Sequence, residues 1–273
     1  YTIGNPGYGS TQDSAFFNPA APRAVREYTG LEFRLDKRFS NNWYANVTYL
    51  WSKLYGNYAG LASSDEVTNG VGRSSPNVNR YYDFPTLLFD AAGQETLGRL
   101  PTDRPHTFKG YAAYRFNYGS MSTEVGGSQL FYSGTPVTTR VETLFAEHIA
   151  FGREDGGRSE AFSQTDLLVT HRWNITERIA FKASMNVQNL FDERNELVRY
   201  ERLTADGVEL GLDESDFPQS AYDDYFGLGY DGVRARLVQQ GIDDDENVFD
   251  PRYNFTQIFQ APRQVRFGFG IEW

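Results

Sequence analysis

The densest run of potential chemistry in this chain is Asp243-Asp244-Asp245-Glu246-Asn247. Its side chains are hard oxygen donors of the kind Ca²⁺ takes, and Asp243 and Asp245 are the candidate ligands if the backbone wraps around an ion. The run lacks the Asp-x-Asp-x-Asp-Gly spacing of a helix-loop-helix site, and acidic runs more often stay solvated. Gly227-Leu-Gly229-Tyr-Asp-Gly232 fits G-x-G-x-x-G literally. A dinucleotide site needs an apolar strand before that loop, within a βαβ unit. Asp216-Phe-Pro-Gln-Ser-Ala-Tyr-Asp-Asp-Tyr-Phe226 stands there instead, so the match reads as chance. His106, His148 and His171 are the only histidines and fall in three separate segments, with no metal-ligand spacing between any pair. A hydrolase needs a nucleophile, a base and an orienting group in one place. The bland reading is stronger for all of these, and the chain reads as no enzyme, with no cofactor beyond a candidate Ca²⁺.

Composition narrows the class further. Absence of cysteine removes disulfides and thiolate ligands, and a formal net charge of −10 over 273 residues disfavours nucleic acid. Mean hydropathy is negative and no run of about 18 apolar residues occurs, so a transmembrane helix is excluded. Barrel strands escape that test, because they alternate apolar with polar residues. The last eleven residues, 263–273, do this. Val265, Phe267, Phe269, Ile271 and Trp273 share one face, and Gln264, Arg266, Gly268, Gly270 and Glu272 the other. A tilted strand needs about that length to cross a bilayer.

Six further strands follow from the same alternation: Tyr28–Phe39, Trp43–Tyr55, His106–Phe116, Met121–Tyr132, Gln164–Trp173 and Ile179–Phe191. Ser40-Asn41-Asn42, Asn117–Ser120 and Asn174–Arg178 make short turns. Residues 56–103, 133–162 and 192–262 make long connections, and 1–23 reads as the end of an earlier one. Short and long thus alternate strictly, as periplasmic turns and extracellular loops do in an outer-membrane barrel. The expected fold is all-β, a transmembrane antiparallel β-barrel. Seven strands leave an open edge that lipid does not tolerate, so these are read as the C-terminal part of a larger barrel. Arg34, Asp36, Lys109, Arg115, Lys182 and Glu272 belong on the lumen side. Trp43, Tyr49, Trp51, Tyr55, Tyr114, Phe116, Trp173 and Trp273 fit an aromatic girdle, while the parity of Tyr44 and Tyr111 points inward. Residues 192–262 carry a large excess of acid, 17 acidic residues to 6 basic. They form either a surface that captures a cationic ligand, protein partner or divalent ion, or a solvated loop that repels lipopolysaccharide; the second is the commoner case.

Several motifs, taken in order, resemble the TonB-dependent outer-membrane receptors of the Oar-like subfamily. They are Gly30–Ser40 (GLEFRLDKRFS), Trp51–Gly60 (WSKLYGNYAG), Gly98–His106 (GRLPTDRPH), Phe162-Ser-Gln-Thr-Asp166 and Asn189-Leu190-Phe191-Asp192. The resemblance runs along nearly the whole chain. It implies a barrel of about 22 strands with an N-terminal plug, energised by the TonB complex through a segment outside these residues. It also implies that the alternating end Val265, Phe267, Phe269, Ile271, Trp273 is the signal read by the barrel-assembly machinery. The family usually closes on Phe where this chain has Trp273. The expected function is outer-membrane transport of a bulky substrate with no covalent chemistry. The alternative is a barrel whose large extracellular loops anchor adhesion, surface-layer or secretion partners.

Overall fold

The computed structural model describes residues 25–57, 97–143, 146–149, 151–205 and 249–273, with positions 235 and 239. Its strands are β1 (Arg26–Ser40), β2 (Trp43–Gly56), β3 (Gly98–Arg99), β4 (His106–Tyr118), β5 (Met121–Tyr132), β6 (Arg140–Thr143), β7 (Ala146–Ile149), β8 (Phe162–Asn174), β9 (Ala180–Gln188), β10 (Glu196–Arg199), β11 (Thr256–Phe259) and β12 (Gln264–Glu272). Seven of them form one antiparallel meander in the order β1-β2-β4-β5-β8-β9-β12, each paired with the next along the chain. These are the seven strands that alternation predicts. Their lengths run from 9 residues in β9 and β12 to 15 in β1, well above the ~5–6 usual in soluble sheets.

Turn chemistry fixes the register at one end of the sheet. Asn41 and Asn42 both take positive φ, 52° and 66°, and close β1–β2 with the mirror-image turn that matches strand twist. Gly119, at φ 60°, opens the two-residue turn between β4 and β5 and leaves Tyr118 paired with Met121. Between β8 and β9 the Ile175 N–H donates to the Ile179 carbonyl at 2.8 Å, and the Thr176 hydroxyl accepts the Arg178 and Ile179 amides.

The pairing carries one face across all seven strands, with β1 joining β2 through Phe33 opposite Tyr49. Phe267 faces Met185, Met185 faces Val169, and Val169 faces Val125; Val125 faces Tyr114, and Tyr114 faces Trp43. This face is apolar and open: Phe267 is 69% exposed and Phe269 75%. The opposite face carries the polar set, including Asp36 opposite Asn46 and Arg115 opposite Glu124. A water-soluble sheet would turn its apolar face to a core; here the fully buried side chains lie outside the long strands altogether. Leu100, Asn57, Asn189, Thr139, Thr204 and Asp103 all belong to the connections at the other end of the sheet.

Two expectations need correction. The sixth long strand stops at Gln188 rather than Phe191, because Asn189 and Asp192 take φ of 52° and 54°, which no strand accommodates. The long connections also carry regular structure that alternation misses: β3 pairs β2, β6 pairs β7, and β10 pairs β11. Among the described residues the sheet is not closed, since β1 and β12 each pair on one side only.

Candidate functional site

The polar face is a wall of paired charges at the short-turn end. Arg34 Nε lies 2.7 Å from Asp36, Arg115 Nη2 lies 2.8 Å from Glu124, and Arg172 Nη1 lies 2.9 Å from Glu272. Tyr44 and Tyr111 both sit on this face, as their parity predicts, with hydroxyls 2.8 Å apart; Tyr44 also donates to Glu124 at 3.2 Å. Such a row is stable only against water or another polar surface.

At the opposite end the described parts of the long connections pack into one layer. Its keystone is Asp103, whose side chain is fully buried. The carboxylate lies 2.6 Å from Arg158 Nη2 and 3.3 Å from Arg99 Nη1, and it accepts the Leu54 amide at 2.6 Å. Arg158 further donates to the carbonyls of Asp103 and Gly134. One carboxylate therefore ties β2 and the 97–105 connection to the 133–160 connection. The 192–262 connection joins through Glu201, whose carbonyl accepts the Arg140 amide at 2.9 Å, and through Tyr253, whose hydroxyl is 2.8 Å from that of Thr139. Within it Asp250 meets Arg252 Nη2 at 2.6 Å and Arg202 at 3.8 Å. The Arg252 guanidinium holds the Asp250 carboxyl well below the usual carboxylate range. Burial raises the Tyr200 phenol.

The tetrapeptide Asn189-Leu190-Phe191-Asp192 is a second keystone. Asn189 Oδ1 accepts the Glu193 amide and Nδ2 donates to the Glu193 and Ala261 carbonyls, all at 2.9 Å. Its own amide donates to Asp166 at 2.9 Å. Asp192 accepts the Arg263 amide at 2.9 Å, and that bond lowers its carboxyl. Phe191 stays exposed. These residues thus join β8, β9 and the entry to β12, a splice between strands.

The other predicted residues scatter. Val265, Phe267, Phe269, Ile271 and Trp273 line the apolar face at the edge strand, Trp273 being 94% exposed. His106 and His171 both lie on the apolar face but at opposite ends of the sheet. His106 is 2.8 Å from the Tyr49 hydroxyl, and His171 is 2.9 Å from that of Thr123. No shared catalytic set forms between them. Asp243 and Asp245, like Gly227–Gly232, lie outside the described residues. Among the described residues no cluster of three His, Asp or Glu side chains could hold a metal ion. Sequence reasoning missed Asp103 and Arg158, whose tie joins two connections, and Asp250, whose partners Arg202 and Arg252 lie within one.

No family model and no solved structure matches this chain. It is 28% identical, over 98% of its length, to the TonB-dependent transporter Oar of Myxococcus xanthus. This similarity supports an Oar-like TonB-dependent receptor. The chain spans 24% of that relative's length. Its motifs Gly98–His106 and Asn189–Asp192 are the two places where buried keystones occur, which gives the resemblance a physical basis.

Proposed function

We propose that this Oar-like segment is the C-terminal part of an outer-membrane barrel that moves a bulky substrate through TonB-dependent transport. The carrying observation is the meander itself. Seven long antiparallel strands present an apolar face and a charge-paired polar face, and both edges await partners. Lipid is the solvent that fits the first face and a water-filled or plugged lumen the second. On this reading β1 and β12 pair with strands elsewhere in the natural chain, closing about 22 strands. The short turns lie in the periplasm, and 56–103, 133–162 and 192–262 lie outside the cell. The residues Val265 to Trp273 serve barrel assembly. The mechanism needs no covalent chemistry: loops bind the substrate, and an N-terminal plug rearranges when the TonB complex pulls on it.

Calorimetric titration of the purified full-length natural protein with the periplasmic domain of TonB tests this. Binding that disappears when the segment ahead of the barrel is removed supports transport. No binding removes it and favours the second reading, an anchor for adhesion, surface-layer or secretion partners. The observation on that side is the loop layer, whose own buried core of Leu54, Leu100, Val137, Tyr200 and Leu203 makes a firm outer surface.

A further inference from the structure

Cations on the polar wall are treated in two ways. Near the short turns Arg34, Arg115 and Arg172 each hold a carboxylate. Near the long connections Arg26, Arg104 and Lys109 hold none among the described residues. Arg104 donates to the Ser133 carbonyl at 2.9 Å, and its guanidinium lies 5.6 Å from the centre of the Tyr132 ring. The Lys109 ammonium lies 5.8 Å from the same ring. Strand pairing puts two of them on the polar side: Arg26 is opposite Gly56, two residues beyond the Tyr28–Leu54 pair, and Lys109 is opposite Thr48; Arg104 joins Arg26 at a shared recess.

Arg26 and Arg104 line one recess of about 330 Å³, together with Tyr28, Ser52, Thr102, Thr107 and the apolar Leu50 and Leu54. That volume is at the lower end of small-molecule sites. The nearest buried acid, Asp103, is already held by Arg99 and Arg158 and leaves Arg104 free of it. Glu32 shares this face, opposite the recess-lining Leu50, yet pairs with none of the three cations among the described residues. Like charges side by side repel, and an anion between them relieves that repulsion. Guanidinium forks match carboxylate and phosphate oxygens in pairs, and the Thr102 and Thr107 hydroxyls add donors beside them.

We infer that this recess is an oxyanion subsite, taking the carboxylate or phosphate group of a soluble ligand at the loop end of the wall. The inference rests on the membrane reading for the identity of that wall as the side open to water, and not on transport. The test is calorimetric binding to the full-length natural protein in detergent, with citrate as the carboxylate probe, pyrophosphate as the phosphate probe and a neutral polyol as control. At least one anion binds and the polyol does not. Arg26→Gln, which breaks no contact among the described residues, weakens binding about tenfold. Arg104→Gln does the same. Affinity falls as salt rises and, for citrate, holds constant from about pH 7 to 9, since arginine stays charged. Far-UV circular dichroism confirms that each variant is folded, and Thr107→Val, which removes a hydroxyl from the recess wall, stands in with the same expected weakening if either arginine variant fails to fold. Failure of both anions to bind overturns the subsite; so does binding that the substitutions leave unchanged. A protein that binds anions but not TonB keeps the subsite and loses only the transport reading.

Discussion

At the scale of single residues, the fold is held by a few polar side chains that satisfy backbone groups no strand can reach. Asn189 is the clearest case. Replacing it with Ala removes one acceptor and two donors from the Glu193 and Ala261 backbone while keeping a residue at φ 52°. The expected cost is about 2–3 kcal/mol, read as a lower urea midpoint for unfolding from vesicles; Asn189→Gly, which relaxes φ, isolates the hydrogen-bond share. Asp103→Asn leaves two guanidiniums beside a neutral amide and is expected to cost about 2–3 kcal/mol. Its effect should appear as faster proteolysis of the 97–105 and 133–160 connections, with the long strands intact. Asp250 sets a pH dependence. Its carboxyl is depressed in the folded loops, so its stabilisation is complete above the ordinary value of 3.8 and is lost as pH falls below it toward the folded-state value. Limited proteolysis near Asp250 should therefore accelerate below about pH 4 in the native protein, and Asp250→Asn should show that rate already at pH 7.

At the scale of elements, alternation reads well wherever each residue has only two possible surroundings. β12 and β9 were legible because Phe267, Phe269 and Ile271 alternate with Arg266, Gly268 and Gly270, and Phe181 to Val187 alternate with Lys182 to Gln188. The turns were legible from Asn41-Asn42 and Gly119, whose backbone preferences are local. β5 was harder, since Gly126, Gly127 and Ser128 interrupt its pattern; pairing with β4 and β8 defines it instead. The loop layer was not legible. β6, β7, β10 and β11 are four residues each, too short for a period, and the Asp103–Arg158 tie spans 55 positions. The anion recess escaped for the same reason, as it needs Arg26 and Arg104 from separate segments. One substitution probes the element directly. Phe267→Arg should destabilise the sheet in vesicles by about 2–4 kcal/mol if that face lies near the bilayer midplane. Arg266→Ala, on the other face, should change unfolding little.

At the scale of the whole molecule, two faces of opposite chemistry and two open edges call for a lipid exterior, an aqueous interior and further strands. The 24% coverage of the relative leaves room for those strands. The most direct measurement is a nitroxide scan of residues 264–272 in the full-length natural protein, reconstituted in vesicles, with each position replaced by cysteine in turn. Collision with oxygen should dominate at 265, 267, 269 and 271, and collision with a water-soluble nickel complex at 264, 266, 268, 270 and 272, with a period of two. Uniform access to the nickel complex along the strand would contradict the account, because the apolar face would then be facing water or protein and the sheet would not be the wall of a membrane barrel.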